Sequence, residues 1–199
     1  MKICAATGNA GKLREPRRIL EAQGHEVVSQ KELGITLEPE ETGTTFAANA
    51  LIKAQTICKA SGLPTIADDS GLCVEALGGA PGVYSARYCG HHGDDEANNR
   101  KLISLIKDVP YEKRTARFVS VITMVYPDGR SVVARGEVEG HLLLEPHGGN
   151  GFGYDPLFVP VGYDETFGVI DPEVKNRISH RANALKVLRE KLMSEEGNL

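Results

Sequence analysis

The chain has 199 residues and a formal net charge of −4, and 41% of its residues are hydrophobic and 25% are charged. These proportions are those of a soluble globular protein, and the length suits one domain, or one domain folded as two lobes around a cleft. The apolar runs are too short for a membrane span or a signal peptide. Because proteins that coat nucleic acid usually present a basic face, the acidic balance argues against such a partner. We therefore expect a cytoplasmic protein with no membrane and no nucleic acid among its partners, whereas a small polyanion stays compatible if cations or a metal ion meet it.

The four cysteines are scattered along the chain and form no C-x-x-C pair. This spacing argues against a zinc site and against a disulfide framework, and it favours reduced thiols. They are Cys4, Cys58, Cys73 and Cys89.

The N-terminal segment predicts a strand, a turn and a helix. Residues 2–6 form a short apolar run, and the helix that follows is expected to begin after Asn9 as N-cap and to end near Gln23. Pro16 lies within this helix, so we expect a bend or a short irregular first turn. Val27 and Val28 then suggest a second strand.

The clearest helix is predicted at residues 45–60, where apolar residues recur at helical spacing up to the stop signal Gly62. Residues 64–67 enter another strand, which is expected to stop at the acidic corner of residues 68–71. A further helix is expected at residues 95–106.

The second half of the chain predicts a hairpin, a short strand and a final helix. Residues 116–126 and 131–138 are rich in β-branched residues and flank a Pro-Asp-Gly turn. A short strand follows at residues 157–159, and Ser179 is a candidate cap for the last helix. The mixture predicts one α/β domain over residues 1–199, with a mixed sheet.

A glycine-containing loop follows the first predicted strand and opens the first predicted helix. Such a loop brings backbone amides close to a ligand, the helix N-terminus attracts anions, and a lysine adds a positive charge. The spacing is neither that of a Walker A motif nor G-x-G-x-x-G, and an ordinary strand-to-helix turn explains it as well. The loop consists of Thr7, Gly8, Asn9, Ala10, Gly11 and Lys12.

Two carboxylate pairs form a candidate metal site. Glu40 and Glu41 precede the helix at residues 45–60, and Asp68 and Asp69 follow the strand at residues 64–67. Mg²⁺ typically takes one or two carboxylates together with waters and phosphate oxygens. Both pairs could equally be surface turn residues. The second pair is the better candidate, because the strand is expected to deliver it to a sheet edge.

Two further segments could bind a planar base. In the first, glycines surround Phe152, which offers a face for stacking, and Asp155 could contact the ring or the sugar; core packing is the alternative explanation. In the second, Lys175, His180 and Arg181 belong to a basic run just ahead of the last helix. A solvated helix start is the usual explanation for such a run, although cations are disfavoured at a helix N-terminus, which mildly supports a ligand.

Taken together, these segments resemble the inosine triphosphate pyrophosphatase family, also described as dITP/XTP pyrophosphatases. The matching pieces occur in the family's order and cover nearly the whole chain. They are Ala6 to Lys12, Glu40 to Gly43, Asn49 to Ala54, Ile66 to Leu72, Leu77 to Tyr88, Gly151 to Pro156 and Ile178 to Ala182.

The resemblance implies a two-lobed α/β fold with a long mixed sheet and an active-site cleft, a homodimer, and Mg²⁺-dependent hydrolysis of purine nucleoside triphosphates such as ITP, dITP and XTP. In that reading Glu41 and Asp69 bind magnesium, and Asp69 is also the general base. The triphosphate is held by the loop of residues 7–12 and by Lys53, with Ser70 touching substrate nearby. The base pocket is lined by Phe152, Gly153, Tyr154 and Asp155, and the edge of the base is recognised by Lys175, His180 and Arg181.

Two positions depart from the family pattern, and two other functions compete with this one. Many relatives have Glu where this chain has Ala48, so Glu41 and Asp69 must suffice as metal ligands here. Pro16 stands where relatives usually have a helix-compatible residue. The competing functions are a related pyrophosphatase for other modified or ordinary nucleotides and a non-catalytic nucleotide sensor.

Overall fold

A computed structural model of the chain describes residues 1–196. The strands are β1 (Lys2–Ala5), β2 (Glu26–Ser29), β3 (Thr65–Val74), β4 (Thr115–Val125), β5 (Ser131–Leu142) and β6 (Phe158–Pro160). The helices are α1 (Ala10–Glu21), α2 (Phe46–Ser61), α3 (Asp95–Ile106), α4 (Pro172–Ile178) and α5 (His180–Glu196). Within residues 1–196, no helix has the length and apolarity needed to cross a membrane.

The strands form one sheet of six, in the order β2-β1-β3-β4-β5-β6. Strand β1 runs parallel to both β2 and β3, whereas β5 and β6 are antiparallel. The predicted α/β fold with a mixed sheet is therefore confirmed. The register of β1 on β3 pairs Cys4 with Thr65 and Ala5 with Ile66. Because β1 ends at Ala5, the polar residues Asp68 and Asp69 of β3 lie beyond the carboxyl end of β1.

The residues group into two compact units. The first unit comprises residues 1–69, 120–136 and the chain from Arg181 onward, and the second comprises residues 70–119 and 137–180. The core of the first unit is built from apolar residues of β1, β3, β4, α1 and α5, among them Ile3, Leu20, Ile66, Met124 and Leu185. The core of the second is centred on the aromatic side chains of Phe118, Phe158 and Phe167, which contact one another.

Helix α1 begins where the sequence predicts, after Asn9. It is α-helical from Ala10 and continuous through Pro16, so the expected irregular first turn is wrong. The reason is local: the Asn9 side chain accepts hydrogen bonds from the amides of Gly11 and Lys12, which fixes the first turn independently of Pro16.

Strand β3 does not stop at the acidic residues, contrary to the prediction, but continues to Val74. Leu72 and Val74 are fully buried in the core of the second unit, and their packing extends the strand beyond Asp68 and Asp69. The two aspartates thus lie in the middle of a central strand and not at its end.

The basic run also differs from the prediction of a single helix start. Lys175 lies in α4, which begins after Asp171 as N-cap with Pro172 in its first turn. Ser179 has extended backbone between the two helices and directly precedes α5, the position expected for its cap. His180 and Arg181 are the first residues of α5.

Candidate active site

The loop between β1 and α1 presents backbone amides to solvent. The Thr7 hydroxyl accepts a hydrogen bond from the Asn9 amide at 3.1 Å, and the Asn9 side chain caps α1, so both side chains stabilise the loop itself. The amides of Gly8 and Ala10 donate to no acceptor within the described part of the chain. Because these amides lie at a helix N-terminus, the loop is suited to bind an oxyanion such as phosphate.

A small cavity in the first unit adjoins this loop and is lined by Thr7, Lys12, Asp68 and Arg181, among others. Arg181 donates from Nη2 to Oδ2 of Asp68 at 3.1 Å. Burial alone would raise the pKa of the Asp68 carboxyl group, but the charges of Arg181, Lys12 and Lys53 outweigh burial and hold that pKa well below its usual range. Asp68 is therefore a fixed negative charge that neutralises neighbouring cations.

Lys53 stands at the centre of the carboxylate cluster. Its Nζ lies 2.5 Å from the backbone oxygen of Asp68, 2.5 Å from Oε1 of Glu41 and 4.0 Å from Oδ1 of Asp69. Helix α2 positions this lysine, and α2 is fixed by the Thr45 cap at one end and by Gly62 at the other. One ammonium group thus connects three segments of the chain.

Asp69 is the carboxylate whose surroundings disfavour its charge. Its burial, together with the negative charges of Glu41 and Asp68, raises the pKa of Asp69 to about 6, although Lys53 and a hydrogen bond from Asn49 act in the opposite direction. A carboxyl group with a pKa in this range is suited to act as a general base near neutral pH.

The same cluster fits a divalent cation. Oδ2 of Asp69 is buried and has no hydrogen-bond partner within residues 1–196, so a lone pair is available there. Glu41 and Asp69 already share one cation, Lys53. No group of three His, Cys, Asp or Glu side chains suited to a metal occurs in the described residues, and Ala48 supplies no ligand. Two carboxylates completed by water and phosphate oxygens are nevertheless a usual environment for Mg²⁺.

The second unit carries the glycine-rich loop around Phe152. Phe152 is 60% exposed, whereas Tyr154 and Asp155 are buried. The Tyr154 hydroxyl donates to the backbone oxygen of Ser85 at 2.7 Å, and the Asp155 carboxylate accepts from the Phe152 amide at 3.0 Å and pairs with the ammonium of Lys175. Tyr154 and Asp155 therefore stabilise the loop, and Phe152 is the aromatic face that the loop exposes.

Lys175 and His180 are both placed against aromatic rings of the second unit. The Lys175 ammonium lies 4.9 Å from the ring centroid of Phe152. His180 is mostly buried, and its ring stacks on Phe118 with centroids 5.0 Å apart. The ammonium of Lys175 thus lies over the Phe152 ring.

The structure gathers the predicted residues into two groups. The loop of residues 7–12, Glu41, Lys53, Asp69 and Arg181 belong to the first unit, while Ser70, Phe152, Gly153, Tyr154, Asp155, Lys175 and His180 belong to the second. Sequence reasoning left Asn49, a contributor to the first group, without a role, and it considered Asp68 only as a candidate metal ligand, whereas Asp68 pairs with Arg181. Both lie within the quoted motifs, but their parts depend on contacts with Asp69 and Arg181 that sequence spacing does not reveal.

The fold and the features of the two units define a class: an α/β protein with a loop suited to an oxyanion and a lysine-centred carboxylate cluster in the first unit, and an exposed aromatic ring in the second. Residues 3–191 match the model of the Ham1 family, and the chain belongs to that family.

Its relatives match along nearly their whole length. The chain is 52% identical over 195 residues to the dITP/XTP pyrophosphatase of Mannheimia succiniciproducens, covering 96% of this chain and 98% of that protein. It is 48% identical over 183 residues to the dITP/XTP pyrophosphatase of Bacillus subtilis, covering 92% of each. The Staphylococcus aureus Ham1 protein has a similar structure, with a TM-score of 0.90, 41% identity and coverage of 98% of this chain and 100% of that one.

Proposed function

We propose that this chain hydrolyses deaminated purine nucleoside triphosphates such as ITP, dITP and XTP to the monophosphate and pyrophosphate. One observation carries the chemistry. Asp69 has a raised pKa of about 6 and, beside Lys53 and Glu41, a buried oxygen without a hydrogen-bond partner among residues 1–196, as suits a water-activating carboxylate. The names of the relatives supply the substrate class.

The first unit binds and cleaves the triphosphate in this proposal. The amides of Gly8 and Ala10 donate hydrogen bonds to phosphate oxygens, and Lys12 and Lys53 neutralise the phosphate charge. Asp69 takes a proton from water, whose oxygen bonds to the α-phosphorus while the bond to the bridging oxygen breaks and pyrophosphate leaves. Glu41 and Asp69 would hold Mg²⁺, which supplies charge neutralisation on the phosphates and a more acidic water. Phosphoryl transfer needs this positioning and charge compensation more than a covalent nucleophile.

The second unit supplies recognition of the base. Phe152 offers its exposed ring for stacking, and Lys175 and His180 are donors for an acceptor oxygen, a role that the family resemblance also implies for Arg181. Hypoxanthine and xanthine carry such an oxygen at C6, where adenine carries an amine that would leave these donors unpaired. Sites that hydrogen-bond a substrate group can reject an analogue lacking it by about 10⁴–10⁵-fold. Tyr154 and Asp155 act by holding the loop in shape.

The family resemblance also leads us to propose a homodimer, and its location is expected to be cytoplasmic, as argued from the sequence. Sedimentation equilibrium of the purified chain measures the mass in solution, and a mass of one chain at micromolar concentration would reject the dimer.

Release of pyrophosphate from ITP, XTP, GTP and ATP, each with and without Mg²⁺, tests the proposed reaction. We expect Mg²⁺-dependent release from ITP and XTP at rates far above those for GTP and ATP. Equal rates on all four nucleotides would support pyrophosphatase activity but reject the proposed preference for deaminated bases. Binding without release from any of them would instead support the nucleotide sensor.

Substitution of Arg181 separates base reading from phosphate binding. We expect Arg181→Ala to reduce the ratio of kcat/KM for ITP to that for ATP by about 10–100-fold, because loss of a charged hydrogen bond costs about 1.5–3 kcal/mol. Arg181 pairs with the Asp68 carboxylate at 3.1 Å, so a base oxygen would share the guanidinium with that carboxylate. An equal loss on both nucleotides would place Arg181 with the phosphates.

A further inference from the structure

Two side chains of helix α3 hydrogen-bond to the backbone of Gly153, one to its amide and one to its carbonyl oxygen. Oδ2 of Asp95 accepts the Gly153 amide at 2.8 Å, and Nδ2 of Asn99 donates to the Gly153 carbonyl oxygen at 3.1 Å. The two side chains are four residues apart, on the same face of α3. They reach a loop that lies more than fifty positions further along the chain, so these bonds are tertiary contacts and not local turn bonds.

Asn99 occupies a position that would ordinarily be apolar. It belongs to the buried stripe of α3 with Leu102 and Ile106, and only 8% of it is exposed. Its Oδ1 has no hydrogen-bond partner in the described part of the chain. A buried amide with one unsatisfied atom is costly, and the bond to Gly153 is the contact that offsets the cost.

The loop needs such support because burial in the protein core does little to hold Phe152 in place. Its ring is mostly exposed, and its neighbour Gly153 has left-handed backbone with φ of 59°. On the other side, a Cβ at Gly151 would lie 2.1 Å from the Asp155 carboxylate, so the chain is closely packed there. The loop is therefore anchored on both sides of Phe152. Gly151 packs against Asp155 on one side, and Gly153 is hydrogen-bonded to α3 on the other.

We propose that Asp95 and Asn99 are positioning residues that fix the Phe152 ring and thereby determine affinity and selectivity for the base. The inference rests on the proposed function, in which Phe152 stacks on the base. Neither side chain is assigned a contact with substrate; both act through the Gly153 peptide. Pre-organisation of a stacking face strengthens binding before and during the reaction alike, so KM is the parameter that responds.

Steady-state kinetics with ITP and ATP test the proposal in Asp95→Ala and Asn99→Ala. We expect KM for ITP to rise about tenfold in each variant, with kcat within about twofold of the parent. Asp95→Asn keeps an oxygen acceptor and should restore most of the affinity. Glu96→Ala alters an exposed residue of the same helix turn and serves as the matched control, with kinetics unchanged. A fall in kcat at constant KM would overturn the proposal.

A double-mutant cycle with Phe152→Ala asks whether the effect passes through the ring. If it does, Asp95→Ala added to Phe152→Ala raises KM by less than about twofold further. Additive effects of the two substitutions would overturn the proposal.

Amide hydrogen exchange provides a readout that does not depend on catalysis. Without added nucleotide, amides in the segment around residues 150–157 should exchange at least about tenfold faster in Asp95→Ala than in the parent. In Glu96→Ala their exchange rates should equal those of the parent. Unchanged exchange in Asp95→Ala rejects the positioning role. If the parent protein hydrolyses no nucleotide while exchange responds as expected, the proposed function fails and the role of α3 in fixing the loop stands.

Discussion

Asp69→Asn should reduce kcat for ITP by at least about 10³-fold while leaving the fold intact. General base catalysis contributes about 10²–10⁴-fold by itself, and the same carboxylate would help to hold the cation. The substitution is nearly isosteric, and its amide oxygen can still accept the hydrogen bond from Asn49. Pyrophosphate release at saturating ITP and Mg²⁺ measures the loss. Turnover near the parent rate in a folded variant would remove Asp69 from the mechanism.

The same substitution should stabilise the protein in metal-free buffer. The pKa of Asp69 is about 6 in the folded chain and about 4 for an ordinary aspartate, so folding at neutral pH carries the cost of an ionised carboxyl group in an unfavourable place. That cost is about 1–3 kcal/mol, complete above about pH 6 and absent below about pH 4. Asp69→Asn removes it, so the melting temperature should rise by several degrees at pH 7.5 and be nearly unchanged at pH 4.

Asp68→Asn is the matched control for this stability effect because the neighbouring carboxylate has the opposite pKa shift. The pKa of Asp68 is lowered in the folded chain, chiefly by Arg181 acting against burial, so its ionised form contributes stability above about pH 4 that is lost as the pH falls. Asp68→Asn should therefore lower the melting temperature at pH 7.5. Thermal unfolding in EDTA at both pH values measures the two variants, and a shift of the same sign in both would contradict the assigned electrostatics.

Local signals explain which parts of the fold could be predicted. Helix α2 follows from its apolar periodicity and the Gly62 stop, and the structure adds side-chain caps that the sequence analysis did not use, Thr45 for α2 and Asp94 for α3. Helix α4 was missed because seven residues carry too little periodicity, although Asp171 followed by Pro172 is a recognisable start. The length of β3 was underestimated since its second half depends on burial in another core, which is a tertiary effect.

The site was predicted as a set of residues, but their pairing was not. The resemblance places Asp155 and Arg181 with the substrate, and the structure shows that each also pairs with a side chain of the protein, Lys175 and Asp68 respectively. Arg181 and Asp68 are 113 positions apart, so only the fold brings them together. Motifs identify the residues that carry chemistry, while the charge balance that sets the pKa of Asp69 depends on burial and long-range contacts.

Lys53→Met should reduce kcat/KM for ITP by at least about 10³-fold, with most of the loss in KM. A methionine fills the same volume and removes the charge that would neutralise the triphosphate, whose contacts are charge-assisted. Lys53 also compensates Glu41 and Asp69 in the free protein, and its side chain is only 17% exposed. The variant should therefore lose about 1–3 kcal/mol of stability, since partly buried carboxylates are left without their cation.

The response to Mg²⁺ then distinguishes a shared cation site from simple loss of packing. If Lys53 and Mg²⁺ are attracted by the same two carboxylates, removal of the lysine strengthens the pull on the metal, and Mg²⁺ should raise the melting temperature of Lys53→Met by more than that of the parent. Lys59→Met, an exposed lysine in the last turn of the same helix, is the control and should resemble the parent in both assays. A smaller response to Mg²⁺ in Lys53→Met would show that the lysine and the metal do not compete for Glu41 and Asp69, and the metal would then have to be assigned to other oxygens.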